Sequence, residues 1–292
     1  MQTQEKFVFE AIGTRWEIDC VLINQDKQEL LSKIKDRIDE FDKNYSRFRK
    51  DSLVFAMFEN PGDYSMPSDF SKLLSVYKKL NTATNGLFTP LIGNVIRNAG
   101  YDENYSFKED LLKKPQPLGD ILSYKNNTLT LKSAEMLDFG AGGKGYIIDI
   151  VGGILEVHHV TNYCIDAGGD ILTKGDTLKV GLENPENTKQ VIGVVTLQNQ
   201  CICGSAGNRR KWNNFHHIIN PETLASPKNV LAVWVISDTA LVADAMSTAL
   251  FLDPSDRVAK TYPCEYLILF NDHSVQKSTD FNAELFLTKS DV

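Results

Sequence analysis

Hydrophobic and polar residues alternate from Trp16 to Leu22: Trp16, Ile18, Cys20 and Leu22 share one side, Glu17 and Asp19 the other, so β structure follows the Gly13-Thr14 break. The period then lengthens. Leu30, Ile34, Ile38 and Phe41 recur at helical spacing and predict an amphipathic helix over roughly 28–42. A second helix, capped by Ser68, is predicted from Phe70, Leu73, Leu74, Tyr77 and Leu80, with Gly86 as its stop and Pro90 barring continuation. Polar, Pro-containing residues 101–124 form a long connection, and the alternation of Leu129 and Leu131 suggests a hairpin. Strand patterns follow at 160–165, 178–182, 191–197 and 201–204. A nearly continuous apolar strand runs from Val230 to Ile236, Asp238 caps a helix over 239–252, and segments 266–270 and 284–287 supply closing strands. Short β segments with helices set among them predict an α+β fold with largely antiparallel sheets.

Between the hairpin and the strand at 160–165 lies Asp138-Phe139-Gly140-Ala141-Gly142-Gly143-Lys144-Gly145-Tyr146, read as a turn without bulky side chains opening a helix whose apolar face is Tyr146, Ile147, Ile150, Ile154 and Leu155. Four glycines in six residues permit positive φ and close ligand approach, and amides at a helix start attract anions, so a phosphate is the first expectation. A P-loop is excluded, because Gly145 stands where Ser or Thr should hold magnesium. Gly140, Gly142 and Gly145 satisfy the G-x-G-x-x-G dinucleotide fingerprint, with Asp166 at a suitable distance, but the hairpin before them is the wrong context. A tight structural turn is the remaining alternative.

With 292 residues and 42% hydrophobic content the chain can bury a sizeable core, as one domain over 1–292 or two intimately joined halves. Its net charge of -7, without a basic block, argues against nucleic acid and anionic membranes, so an anionic ligand needs local amides, one or two cations, or a metal. No run of about 18 apolar residues suggests a transmembrane segment, and residues 1–6 lack the pattern of a signal peptide, so a cytoplasmic protein is expected. Five scattered cysteines suit buried free thiols; Cys201 and Cys203 are the only close pair.

Three further stretches carry chemistry. Asn44–Ser52 interleaves aromatics with cations, as a solvated loop or a lid over a planar ring. His216 and His217 are neighbours, so on a strand only one enters a given site. On the helix over 239–252, Asp244, Ser247 and Thr248 bring three oxygens to one face among alanines, a setting for a small hard cation such as magnesium or for a satisfied polar patch.

These motifs, in this order, resemble the ApbE family of FAD:protein FMN transferases. The D-x-G-G-x-x-K-G-x-x-x-D pattern is met by Asp138, Gly140, Lys144, Gly145 and Asp149, with Ala141 at the second glycine; Gly168-Gly169-Asp170 matches G-G-D, and Ala243-Asp244-Ala245-Met246-Ser247-Thr248 matches A-D-A-x-x-T. Gly13-Thr14, Ser46–Ser52, Gly86–Pro90 and His216–Pro221 resemble the family's remaining motifs. The resemblance implies an α+β, T-fold-like architecture of two joined halves with FAD in the cleft between them. It implies that Asp138 and Lys144 contact FAD, that the Ala141 carbonyl, Asp244 and Thr248 hold Mg2+ with Ser247 close by, and that His217 lies near the diphosphate. Phe88 and Thr89 would line the cofactor site, and Tyr45 would take the place of a methionine beside the flavin. The implied reaction moves FMN from FAD to a threonine hydroxyl of a partner flavoprotein and releases AMP, with His217 or a carboxylate as candidate base. Thr89 and Asn220 replace two family aspartates, and Gly204-Ser205-Ala206 replaces T-S-G. The alternatives are an FAD diphosphatase giving FMN and AMP, and a flavin-binding or delivery protein.

Overall fold

A computed structural model describes residues 2–286. The opening alternation becomes the hairpin β1 (Gln2–Ala11) and β2 (Thr14–Ile23), in register from Gln2↔Ile23 to Ala11↔Thr14. Ile12 and Gly13 take the positive φ (45° and 71°) that a two-residue hairpin loop requires. Helix α1 (Lys27–Tyr45) starts on Asp26, whose carboxylate accepts the Gln28 and Glu29 amides, and runs one turn beyond the expected end because Tyr45 adds a further buried position to the stripe. The polar stretch after it is a correction to the solvated-loop reading: it packs inward, and Ser52 caps a short helix, α2 (Leu53–Glu59).

After β3 (Asp63–Ser65) comes α3 (Phe70–Ala83). Asp69, not Ser68, occupies its cap position and makes no cap bond, because its carboxylate is taken by Arg37 and by the Tyr45 hydroxyl. Gly86, at φ 92°, returns its amide to the Asn81 carbonyl and ends this helix as expected. The chain continues through α4 (Gly93–Asn98), α5 (Leu118–Ile121), and the predicted hairpin as β4 (Leu122–Lys125) and β5 (Thr128–Leu131).

Helix α6 (Gly140–Val157) overturns the reading of the glycine-rich stretch as a loop. Gly140, Gly142, Gly143 and Gly145 lie inside its first two turns, and none has positive φ. Strands β6 (Tyr163–Ala167), β7 (Asp170–Lys174), β8 (Leu178–Glu183), β9 (Val191–Leu197), β10 (Cys201–Ala206), β11 (Lys211–Trp212), β12 (Phe215–His216) and β13 (Val230–Ser237) follow. Then come α7 (Ala240–Leu252), α8 (Asp256–Ala259), β14 (Glu265–Phe270), β15 (Val275–Lys277) and β16 (Ala283–Leu285). Thr239 rather than Asp238 caps α7. Leu287, the expected end of the last strand, lies outside the described residues.

Eight strands form the main sheet in the order β1-β2-β6-β7-β10-β13-β14-β15, and every pairing among the described strands is antiparallel. Its faces are both covered, which explains the apolar run of β13. Cys201, Cys203, Val233 and Val235 face the helices, whereas Ile202, Trp234 and Ile236 face a second layer built by β8, β9 and β16. The thiols of Cys201 and Cys203 are free and buried, and burial raises the pKa of each. Because β5 belongs to the small sheet β3-β5-β4 and β6 to the main antiparallel sheet, α6 is not the crossover of a dinucleotide-binding unit.

What the glycines of α6 allow is close approach to α7. A Cβ on Gly145 would lie 2.0 Å from the Ala240 carbonyl oxygen, whereas one on the exposed Gly153 meets nothing within 4 Å. Gly145→Ala is therefore expected to destabilise the protein by about 2 kcal/mol or more. Gly153→Ala, in the same helix, should stabilise it by about 0.5–1 kcal/mol. Chemical denaturation of both variants measures the pair, and equal effects would refute the crossing as the reason for Gly145.

Candidate active site

A cleft of about 650 Å³ opens where the main core, the second layer and a small aromatic cluster around Tyr101 and Trp212 meet. Its floor is the head of α6 against the middle of α7. Asp244 Oδ2 accepts the Gly145 amide at 2.9 Å, and in return Asp149 on α6 accepts the Ala240 and Leu241 amides at 2.7 and 3.1 Å. Each helix thus ties down the other's backbone. Burial raises the Asp149 pKa and the two amides oppose that shift. Asp244 is itself buried, yet it lines the cleft together with Ala141 and Thr248.

These three supply a carboxylate, a backbone carbonyl and a hydroxyl, all hard oxygen donors. Among the described residues no three His, Cys, Asp or Glu side chains come together as a metal group. A cation here would take mixed protein oxygens and complete its shell from ligand and water, which fits magnesium. Ser247 departs from the expectation. It is fully buried, its hydroxyl donates to the Asp244 carbonyl at 2.8 Å and meets the Ser205 hydroxyl at 2.8 Å, and it does not reach the cleft. Ser205 lines the cleft instead and also bonds Thr248 Oγ1 at 3.1 Å.

Asp138 and Lys144 both line the cleft, each already paired. Arg47 Nε donates to Asp138 at 2.6 Å, and its guanidinium also holds the Tyr101 carbonyl at 2.7 Å; the second Asp138 oxygen accepts the Gly140 amide at 2.6 Å. Lys144 pairs with the buried Asp170, whose other oxygen accepts the Gly204 amide at 3.2 Å. The turn before Asp170 needs its glycines: Gly168 has φ 69° and a Cβ there would lie 2.0 Å from Thr14 Oγ1. That contact joins the Gly13-Thr14 and Gly168-Gly169 motifs at one edge of the cleft.

Tyr45 is a correction. Its ring sits in the core against Phe41, Phe70 and Phe139, and its hydroxyl donates to Asp69 at 2.6 Å, so it does not border the cleft. From the same stretch it is Phe48 that borders the cleft, with the Arg47 guanidinium over its ring. Phe88 and Thr89 line the cleft, and Thr89 Oγ1 accepts the Leu91 amide at 3.2 Å. Asn220 lies outside it and caps a turn, its Oδ1 accepting the Glu222 and Thr223 amides at 2.8 and 3.1 Å.

The two histidines divide as alternation requires. His216 is buried with Nε2 against the Pro227 carbonyl, while His217 lines the cleft with Nδ1 3.2 Å from the Arg209 carbonyl. That carbonyl accepts only from a protonated Nδ1, which leaves Nε2 as the acceptor. Desolvation, with Arg210 adding to it, pushes the His217 pKa down to about 3. His217 is therefore a neutral imidazole at physiological pH, fitted to bonding more than to storing a proton. The sequence did not single out Arg47, Phe48 and Tyr77 as cleft residues; the first two lay in a stretch read as either a solvated loop or a lid over a planar ring, and the third in a helical core stripe.

The family model described as the ApbE family matches residues 12–266 of this chain. A protein from Haemophilus influenzae named FAD:protein FMN transferase is 28% identical over 276 residues, covering 85% of this chain and 78% of its own. One of the same name from Buchnera aphidicola is 26% identical over 266 residues, covering 83% and 78%. Among solved structures, the flavin transferase ApbE from Vibrio cholerae superimposes with a TM-score of 0.82 at 20% identity, covering 96% of this chain and 99% of that one. The ApbE protein from Thermotoga maritima gives 0.84 at 19% identity, covering 96% and 98%. With a match that spans most of its length and the family's motifs gathered around one cleft, this chain belongs to the ApbE family.

Proposed function

We propose that the chain, acting as one domain over 1–292, is a Mg2+-dependent FAD:protein FMN transferase that moves FMN from FAD to a threonine hydroxyl of a partner flavoprotein and releases AMP. The observation that carries this reading is the meeting of Ala141, Asp244, Thr248 and Lys144 with the head of an 18-residue helix in one cleft. Magnesium, when bound, would neutralise diphosphate charge. The protein's own share is to hold that diphosphate: Lys144 and the head of α6 face it, Asp244, Thr248 and the Ala141 carbonyl would hold the metal, and His217 Nε2, an acceptor, is left for the hydroxyl of the incoming threonine. In the transfer the threonine oxygen forms a bond to the FMN phosphorus, the bond from that phosphorus to the bridging oxygen breaks, and AMP leaves with that oxygen. The hydroxyl proton passes to solvent or to a neighbouring acceptor such as His217 Nε2. With water as acceptor the same steps give FMN and AMP.

The test is to incubate the chain with FAD, Mg2+ and a threonine-bearing acceptor protein, following AMP and covalent flavin by mass. AMP with covalent FMN supports the transferase, AMP with free FMN replaces it by the diphosphatase, and intact bound FAD by a flavin-binding protein. Asp244→Asn keeps an oxygen for the Gly145 amide, so the fold should hold while turnover falls about a hundredfold or more and Mg2+ affinity drops. Unchanged turnover would remove Asp244 from the metal role.

Asn220 performs the turn-capping task an aspartate would perform, away from the cleft. Asn220→Asp is therefore expected to change turnover by less than about twofold, since only cleft groups exert the large effects on transition-state stabilisation. A large gain in the same assay would show that the missing carboxylate matters.

Below pH 6.5 the unfolded chain protonates His217 while the folded chain, with its pKa near 3, does not. Stability therefore falls as pH drops through that window, by at most about 1.4 kcal/mol per pH unit and less for this half-buried ring. His217→Gln should flatten the loss of Tm between pH 7 and pH 5; a slope identical to the parent protein's would contradict the neutral assignment.

A further inference from the structure

Tyr77 is the one residue of the cleft floor whose polar atom is left over. It is 1% exposed and lines the cleft, and its hydroxyl has no hydrogen-bond partner within the described protein. A buried hydroxyl without a partner costs about 1–3 kcal/mol, so a site that keeps one has a use for it or fills it with solvent. The other buried tyrosine hydroxyls nearby are engaged: Tyr45 with Asp69, Tyr146 with the Asp69 carbonyl.

The surroundings say what kind of atom is missing. The Phe88 and Phe139 rings pack on the Tyr77 ring at 4.8 and 5.2 Å between centroids, leaving the cleft as the open direction. The Ala141 and Gly142 amides at the head of α6 are directed at the oxygen without closing a hydrogen bond and favour negative charge there, and the carboxylates of Asp138 and Asp244 oppose it. A phenol keeps its proton at neutral pH, so the group is an O–H donor. Neither carboxylate takes that proton: Asp138 is held by Arg47 and the Gly140 amide, and Asp244 by the Gly145 amide. A neutral donor beside helix-head amides suits an anionic oxygen that arrives with a ligand.

We propose that the Tyr77 hydroxyl is a ligand-binding group that donates its hydrogen bond to a diphosphate oxygen seated at the head of α6. This rests on the reading of the cleft as an FAD site and adds a contact from α3, an element that none of the glycine-rich or carboxylate motifs includes. The bond forms only in the complex.

Tyr77→Phe removes the oxygen and nothing else. In the ligand-free protein no closed hydrogen bond is lost, so its Tm should equal or exceed the parent's, whereas Tyr45→Phe, which removes the donor to Asp69 Oδ1 and leaves only Arg37 on that carboxylate, should lower Tm by several degrees. Titration with FAD plus Mg2+, and separately with ADP plus Mg2+, should show affinity weakened about tenfold or more in Tyr77→Phe, as for a hydrogen bond to a charged group. Affinity within twofold of the parent for both ligands would overturn the proposal. So would a lowered ligand-free Tm, which would mean that the hydroxyl already has a water partner, or a loss seen equally with Mg2+ alone, which would assign it to the metal's shell. If the parent chain binds ADP with Mg2+ but not FAD, the flavin reading fails and the ADP titration still decides Tyr77. Binding of neither ligand would overturn both.

Discussion

The close crossing of α6 and α7 is the constraint from which the site follows. With Gly145 against the Ala240 carbonyl there is no room for a side chain between the helices, so backbone meets backbone. The gap is bridged by two carboxylates acting in opposite directions, Asp244 onto the Gly145 amide and Asp149 onto the first amides of α7. Asp149 satisfies helix-start donors of α7 that would otherwise be orphaned in a buried place, whereas the Gly145 amide held by Asp244 lies in the second turn of α6. Asp149 is wholly structural in this scheme. Asp244 does double duty, because the bond that fixes its rotamer also holds it at the cleft floor next to Ala141 and Thr248. On the proposed reading, a metal-binding carboxylate here is preorganised without a further device.

The antiparallel sheet makes that crossing possible by covering both of its own faces. One face receives α6 and α7 through Cys201, Cys203, Val233 and Val235, and the other receives the layer of β8 and β9 through Ile202, Trp234 and Ile236. The cleft forms where the coverage changes hands, so it inherits walls from both sides: Thr248 and Tyr77 from the helical layer, Leu182 and Trp234 from the second. A third wall, around Tyr101, is braced by Trp212, whose indole donates to the Ala99 carbonyl at 2.6 Å. Residues far apart in the chain therefore meet without a long loop having to carry the site.

How much of this was legible in the sequence depended on whether a residue's role was local. Periodicity located α1, α3, α7 and most strands, since burial of one stripe or one face is written in the spacing itself. The glycines of α6 were visible, but their purpose was misread, because absence of a side chain serves positive φ and close helix contact alike and only the partner helix distinguishes them. Ser247 and Thr248 are three and four residues from Asp244, close enough to share a face on paper. In the helix that single step turns Thr248 to the cleft and Ser247 into the core. Arg47 and Tyr45 exchanged expectations for a similar reason. A cation in a polar run reads as solvated until a buried acceptor such as Asp138 appears from 91 residues away, and Tyr45 extends a helix stripe that the polar neighbours concealed.

Charge in the cleft explains how a chain of net charge -7 presents a site for an anion. Three of its cations come with partners already in place, Arg47 with Asp138, Lys144 with Asp170 and Arg209 with Glu183, while Arg210 lines the cleft with no carboxylate paired to it among the described residues. Such pairing holds each head group in position, so little ordering entropy remains to be lost on binding, but it also cancels much of the field a phosphate would meet. On the proposed reading, attraction then comes from sources that carry no compensating carboxylate: the Arg210 guanidinium, the head of α6, a divalent cation, and a neutral O–H. Asp244, like Asp166 at the edge of the cleft, takes a backbone amide rather than a lysine or arginine as its partner, and so keeps its charge to offer a metal beside Ala141 and Thr248. Net local charge is thus set by what the ligand brings with it, and that couples recognition of the diphosphate to recognition of the metal.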